Sequence, residues 1–273
     1  MTEHRFTTPD PVQLVAEIGK GSVQVVATAT AETVVEITGR DADQVDVRQN
    51  GEQVSVVAPK QWGLLGGDSR LDVVVTLPTG SALAVKTGSA DVTVTGTIGR
   101  GQVKSGSGDV EVDTAEGPLV VETGSGAIRV EAARGELRTK SGSGDVLVVD
   151  ADSSVVASTG SGDVQLWTTR GPVVVKTGSG DVKVGSAETD VTMTTGSGDL
   201  VVDTAHRGRL TAKGASGDVR VGVPAGVPVW TDISTVSGSI RSGLQGTGAP
   251  EDGADHVEIR AKVVSGDVVL TQV

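Results

Sequence analysis

The strongest constraint on this chain is a repeat. Aligned on the motif Thr/Ser-Gly-Ser-Gly-Asp-Val, the last, apolar residue of each copy falls at Val92, Val110, Ile128, Val146, Val164, Val182 and Leu200. Every interval in that run is 18 residues. Looser copies end at Val219, Ile240 and Val268, after intervals of 19, 21 and 28. A fixed period of this length marks a chain built from one structural unit used repeatedly.

Within each unit the apolar residues sit at offsets 0, 2, 9 and 11, as in Val164, Leu166, Val173 and Val175, then Val182, Val184, Val191 and Met193. A spacing of two means a strand with one buried face. A spacing of nine between pairs means a second strand reached through a tight turn. Val, Ile and Thr dominate these runs, as a pleated, half-buried surface prefers. Nothing is left over for a helix. One unit cannot bury its own strand edges, so units must stack and pair with the coils above and below. The expected fold is all-β: a parallel β-solenoid with 18 residues and two strands per coil. Residues 71–273 would hold about ten such coils. Residues 1–70 lack the clean period and read as an irregular N-terminal β region that continues or caps the stack. Asn50-Gly51 between two short alternating runs predicts a hairpin there. Leu64-Leu65-Gly66-Gly67 and Gly243 to Asp255 read as loops. In the Gly-Ser-Gly-Asp turn, Gly is expected to supply positive φ and Asp to bond nearby amides.

Composition narrows the function. Thirty-five acidic against 23 basic side chains give a net charge of −12, which excludes a nucleic-acid partner that needs a basic face. No Cys is present, so disulfides, thiol catalysis and zinc-thiolate sites are excluded. One Phe and no Tyr argue against an aromatic stacking pocket. The N-terminus has no apolar stretch of the signal-peptide kind, and no run approaches the roughly 18 apolar residues of a membrane span. These features predict a cytoplasmic protein without a transmembrane segment.

Three columns of the repeat could carry chemistry. The residue before each anchor is Asp91, Asp109, Ala127, Asp145, Asp163, Asp181, Asp199 and Asp218, then Asp267. Stacking would set these about 4.8 Å apart. As a carboxylate ridge it offers candidate calcium ligands: Asp109, Asp145, Asp163, Asp181 and Asp199. The coil length equals two nonapeptides of the calcium-binding β-roll. However, Asp directly precedes the apolar residue here, and calcium wants about 6–8 oxygens where each turn offers one carboxylate. The competing role is bonding of turn amides, and it is the better supported; on that account no cofactor is expected. The second column, Thr87, Ser105, Thr123, Ser141, Thr159, Thr177 and Thr195, reads as a hydroxyl ladder along the stack rather than a flat array for an ordered surface. The third, Lys86, Lys104, Glu122, Lys140, Ser158, Lys176, Thr194 and Lys213, reads as a solvated face in which Glu122 relieves the repulsion of stacked lysines. His4, His206 and His256 form no triad or metal spacing. Gly19-Lys20-Gly21-Ser22 lacks the first Gly of a phosphate loop. Trp62, Trp167 and Trp230 stand alone; Trp167, at an outward offset after Leu166, is expected to be exposed.

The Thr-Gly-Ser-Gly-Asp-Val copies, the short N-terminal strands and the closing Val264-Ser265-Gly266-Asp267-Val268 strand resemble a bacterial family of β-strand-repeat domains of unknown function that carries the provisional label of adhesin. The resemblance runs from about residue 20 to the end. It implies surface or self-association roles, with some relatives similar to cell-envelope stress proteins, and it attaches no catalytic residues. The expectation is therefore a non-enzymatic structural or interaction protein, presenting a rigid acidic solenoid to a protein partner, to a second copy or to an envelope-associated partner. A calcium-binding repeat module is the alternative. A polysaccharide-active enzyme ranks last, because two strands per coil leave little concavity.

Overall fold

The computed structural model describes residues 1–59, 70–245 and 255–273. Trp62, the loop expected at Leu64 to Gly67 and most of the loop expected from Gly243 to Asp255 lie outside the described residues. The chain divides into two compact units, Met1–Glu136 and Leu137–Val273, both all-β and built of coils with two strands each. The only helical element among the described residues is a 3₁₀ turn at Ala42–Gln44.

In the first unit the strands are β1 (Thr2–Thr7), β2 (Gln13–Ile18), β3 (Gly21–Thr28), β4 (Glu32–Gly39), β5 (Asp46–Asn50), β6 (Gln53–Val57), β7 (Leu71–Pro78), β8 (Ala82–Thr87), β9 (Asp91–Ile98), β10 (Gly101–Ser105), β11 (Val110–Ala115), β12 (Leu119–Thr123) and β13 (Ile128–Ala133). One sheet runs β1-β4-β7-β3-β9-β11-β13, the other β5-β6-β2-β8-β10-β12. Coil pairing is parallel and in register, with Val110 opposite Ile128 and Val112 opposite Val130. The early strands break the pattern. β4 pairs antiparallel with both β1 and β7. β5 and β6 form the expected hairpin, closing at Asn50 opposite Gln53, and Gly51 takes φ +60 there, the left-handed geometry that such a turn requires. The first coil in sequence, β2 with β3, is not at the end of the stack. It lies between the β6–β7 and β8–β9 coils.

The second unit contains β14 (Leu137–Ser141), β15 (Val146–Ala151), β16 (Val155–Thr159), β17 (Val164–Thr169), β18 (Val173–Thr177), β19 (Val182–Ala187), β20 (Val191–Ser197), β21 (Leu200–Ala205), β22 (Gly208–Ser216), β23 (Val219–Val223), β24 (Val229–Ser237), β25 (Ile240–Ser242), β26 (Val257–Ser265) and β27 (Val268–Gln272). The anchors stack in one line: Val146, Val164, Val182, Leu200, Val219, Val268 and Ile240. The last coil in sequence is again inserted. β26 lies between β22 and β24, and β27 between β23 and β25, which leaves the β24–β25 coil at the end of both sheets.

The inward positions make the core. Val164, Leu166, Val173 and Val175 are buried, as are their equivalents in each full coil. Burial of this kind is the main stabilising term, at about 1.5–3 kcal/mol for each large aliphatic side chain. The turn glycines divide: Gly198, Gly217, Gly238 and Gly266 take the expected positive φ, and those of several regular coils do not. Gly162 and Gly180 are not in the left-handed region. They are needed because consecutive turns touch: a Cβ on Gly180 would stand 1.9 Å from the Gly162 carbonyl oxygen, and one on Gly162 2.3 Å from that of Gly144. Close approach of stacked backbone, rather than backbone sign, selects glycine at these two positions.

Candidate functional site

Each aspartate of the predicted ridge sits on the turn that enters the first strand of a coil. One carboxylate oxygen faces the next coil. Oδ1 of Asp109 accepts the Ala127 amide at 2.8 Å. Asp145, Asp163 and Asp181 accept the amides of Asp163, Asp181 and Asp199, each at 2.8 Å. Asp199 accepts that of Asp218 at 2.9 Å, Asp218 that of Asp267 at 2.9 Å, and Asp267 that of Ser239 at 2.8 Å. The same residues work in the other direction through their carbonyls: Val146 N–H donates to Asp163 O and Val164 N–H to Asp181 O. Asp is thus the residue that ties one turn to the next. The carboxyl of Asp267 is held below the usual Asp range, chiefly by the backbone hydrogen bond from Ser239. The outer oxygens near the end of the unit meet cations. Arg220 contacts Asp199 Oδ2 at 3.0 Å and Asp218 Oδ2 at 2.8 Å. Among the described residues no group of three or more His, Asp or Glu side chains is placed to hold a metal ion.

The hydroxyl column is buried and faces inward. Its main bonds are local: Thr123 Oγ1 accepts the Gly126 amide at 2.9 Å, Ser141 Oγ that of Gly144 at 2.8 Å, and Thr177 Oγ1 that of Gly180 at 3.0 Å. Bonds along the stack, such as Thr195 Oγ1 to Gly180 O at 3.3 Å, are longer. The ladder expected from the sequence is therefore mainly a set of turn locks, because the hydroxyl lies three residues before an amide of the same turn. The lysine column of the first unit does contain the expected relief, with Lys104 Nζ 3.0 Å from Glu122.

Side chains that the coils do not use for their own construction gather on the outer faces of the second unit. Trp167 is 61% exposed and borders a shallow hollow shared with Gln165, Lys183, Gly185 and Asp203, in which Lys183 and Asp203 pair at 3.0 Å. On the other sheet, Trp230 is 52% exposed, and the Arg260 guanidinium stands 5.6 Å from its ring centre. Around it lie Arg209, Lys213 and Lys262, bordering a depression of about 340 Å³. Arg209 and Arg260 share Glu258, at 2.5 Å each. The Arg209 hydrogen bond is the largest cause that holds the Glu258 carboxyl below its usual range. Sequence reasoning named Lys213 and Trp230 separately and missed the group that they form with Arg209, Arg260 and Lys262. Its members come from β22, β24 and β26, and the inserted last coil that makes them neighbours is invisible in the repeat. The usable signal was only that each occupies an outward offset.

None of the described helical segments is long and apolar enough to cross a membrane. The model of the family described as Toastrack DUF4097 matches residues 18–171 and 168–271. No curated protein matches the chain. Several solved structures match the chain over nearly its whole length. One from Parabacteroides distasonis, provisionally named a lipid binding protein, is 13% identical with TM-score 0.44, the match covering 100% of this chain and 96% of that one. One from Parabacteroides merdae, provisionally named an adhesin, is 14% identical with TM-score 0.43, covering 98% and 95%. A third, from Clostridium sporogenes and provisionally named a cell adhesion protein, is 10% identical with TM-score 0.23, covering 100% and 99%.

Proposed function

The chain belongs to the Toastrack DUF4097 family, and from that premise we propose that it is a non-enzymatic interaction protein that associates with a second copy of itself through the open end of its second unit. The observation that carries this reading is the β24–β25 coil. Among the described residues β24 ends one sheet and β25 ends the other, so each offers a strand edge with no described partner. Inward positions that are sealed in the neighbouring coil are open here. Val257, Ile259, Ala261 and Val268 are buried. Their register partners Val229 and Ile233 are half-buried, Thr231 is exposed, and Ile240 is 49% exposed.

Natural sheets protect such edges with charge. The edges of the first unit do so, with Glu3 and Arg5 on β1 and Asp46 and Arg48 on β5. β24 and β25 together carry only Asp232 and Arg241. An added peptide strand could complete one sheet. Completing both at once needs two strands held at the spacing of a coil, which another copy of this same end provides. A two-fold axis in the plane of the end would pair the strands antiparallel, as a self-complementary interface. On this reading the aspartate column is structural, and calcium binding by Asp109, Asp145, Asp163, Asp181 and Asp199 is the alternative.

Sedimentation velocity over a concentration series tests the proposal. The wild-type chain should show a reversible dimer. Thr231→Lys with Ile240→Lys should sediment as a monomer with unchanged circular dichroism. A wild-type chain that stays monomeric at its highest soluble concentration refutes self-association through this end. Saturable, mutation-sensitive cleavage of a polysaccharide by the pure protein refutes the non-enzymatic half.

A further inference from the structure

We propose that the outer face of β22 and β26 is a binding site for a phosphate-type oxyanion carrying two or more negative charges. The chain as a whole is strongly acidic, at −12, so a concentration of cations on it needs a cause. Four cations, Arg209, Lys213, Arg260 and Lys262, border the 340 Å³ depression, with Asp232 and Thr211 completing its rim. Set against Asp232, the adjoining Glu258 and Asp190, whose carboxylate accepts the Arg209 amide at 2.8 Å, they leave a local excess of one positive charge.

Their arrangement matters more than their number. Lys213 and Lys262 are register partners on adjacent parallel strands, so their backbones run about 4.8 Å apart. Like charges placed directly opposite destabilise a sheet. In the first unit Lys86 and Lys104 also lie opposite one another, but Glu17 and Glu122 flank the pair on its two sides, with Glu122 3.0 Å from Lys104. Here the flanking residues are Thr194 and Ser234, and among the described residues neither lysine has an ion-pair partner. Both ammonium groups stay exposed and available.

The arginines are already organised. Glu258 holds Arg209 and Arg260 on one side, at 2.5 Å each, and the Trp230 ring holds Arg260 on another. A guanidinium with its orientation fixed loses less freedom when it meets an anion. Two repelling lysines beside a preset arginine, with Thr211 as a hydroxyl donor, match an anion with several oxygens and more than one charge. Such a group would relieve the lysine repulsion and receive charge-assisted hydrogen bonds. A monovalent carboxylate would leave one lysine unmatched.

The probe is inorganic pyrophosphate, followed by titration calorimetry at fixed ionic strength. The wild-type protein should bind saturably, and affinity should fall as salt rises. Lys213→Gln with Lys262→Gln should weaken binding at least tenfold. Lys213→Arg with Lys262→Arg should retain it. Lys104→Gln, in the first unit, should leave it unchanged. A second arm uses phosphatidylcholine vesicles with and without phosphatidate. Vesicle binding that requires phosphatidate, competes with pyrophosphate and is lost in the double Gln variant makes the natural source a lipid headgroup. Pyrophosphate binding without vesicle binding makes it a soluble anion. Either result supports the site. Absence of saturable binding to both probes overturns it, as does a double Gln variant within twofold of wild type. All of these substitutions are on outward, exposed positions, so the fold should survive them, and circular dichroism checks that it does.

Discussion

Two glycine-to-alanine substitutions in the second unit should behave in opposite ways. A Cβ at Gly180 would lie 1.9 Å from the Gly162 carbonyl oxygen and 2.6 Å from its carbonyl carbon. Ordinary contacts between heavy atoms begin near 3.5 Å, so the two turns would have to part by about 1.5 Å or more. Both atoms are backbone, and no side-chain rotation can relieve the overlap. Three of the hydrogen bonds that join these turns are Gly178 N–H to Gly160 O at 3.1 Å, Ser179 N–H to Gly160 O at 3.2 Å, and Asp181 N–H to Asp163 Oδ1 at 2.8 Å. Stretching each by that distance removes it. At about 0.5–1.5 kcal/mol for a neutral bond and 1.5–3 for the charged one, Gly180→Ala should cost about 2.5–6 kcal/mol. Gly214 supplies the contrast. A Cβ there would meet Val263 Cγ1 at 3.5 Å and Thr195 Cγ2 at 3.7 Å, both ordinary contacts, and its φ is not in the left-handed region. Gly214→Ala should be neutral or stabilise by up to about 1 kcal/mol, because it removes freedom from the unfolded chain. Urea unfolding of both variants measures the difference. If Gly180→Ala unfolds within 0.5 kcal/mol of the wild type, the close-approach account of the turn is wrong.

The aspartate ridge can be tested by keeping or removing its acceptor. Asp163→Asn retains an oxygen for the Asp181 amide and should cost less than about 1 kcal/mol, whereas Asp163→Ala should cost about 1–3 kcal/mol; excess calcium should leave the melting temperature of the wild type unchanged. A rise with calcium that Asp145→Asn, Asp163→Asn and Asp181→Asn together abolish would instead establish the cation module. Leu166→Ala removes a fully buried side chain and should lower unfolding free energy by about 2–5 kcal/mol, read from the same denaturation curves. Acid should weaken the second unit through Glu258 and Asp267, whose carboxyls both titrate below their usual ranges in the fold. A folded-state depression means that their contribution is complete above the unfolded values near 4 and is lost as pH falls through the lowered folded ones. Stability measured between pH 6 and pH 3 should therefore drop less steeply in Glu258→Gln than in the wild type. An identical slope would assign no role to that pair.

Much of the coil was legible without coordinates, and the reason is local. Side chains alternate across a strand, so Val164 and Leu166 must face one way while Gln165 and Trp167 face the other. A period of 18 repeats this choice in every coil and stacks each residue on its own equivalent. That single fact placed the aspartates in one line, buried the anchors and exposed Trp167. The choice of turn residue was legible too, and the cause assigned to glycine held at Gly198, Gly217, Gly238 and Gly266 but not at Gly162 and Gly180. Whether glycine answers to backbone sign or to crowding depends on how near the next turn comes, and no residue within the turn reports that distance.

What only the tertiary structure decided is which coils are neighbours. Parallel strand pairing is made between segments far apart in the chain, and its energy comes from backbone hydrogen bonds that every residue can offer. An interior coil and an end coil therefore look alike when read along the chain. The sequence runs β22 to β27 in order, yet the β26–β27 coil lies inside the β24–β25 coil. The same happens at the start, where β2 and β3 lie between coils that follow them. Those insertions set Lys262 beside Lys213 and Arg260 under Trp230, and they leave Thr231 and Ile240 uncovered. The repeat by itself determined the unit and the direction of every side chain in it. The order of stacking, settled by long-range pairing, determined which surfaces meet solvent with something left to bind.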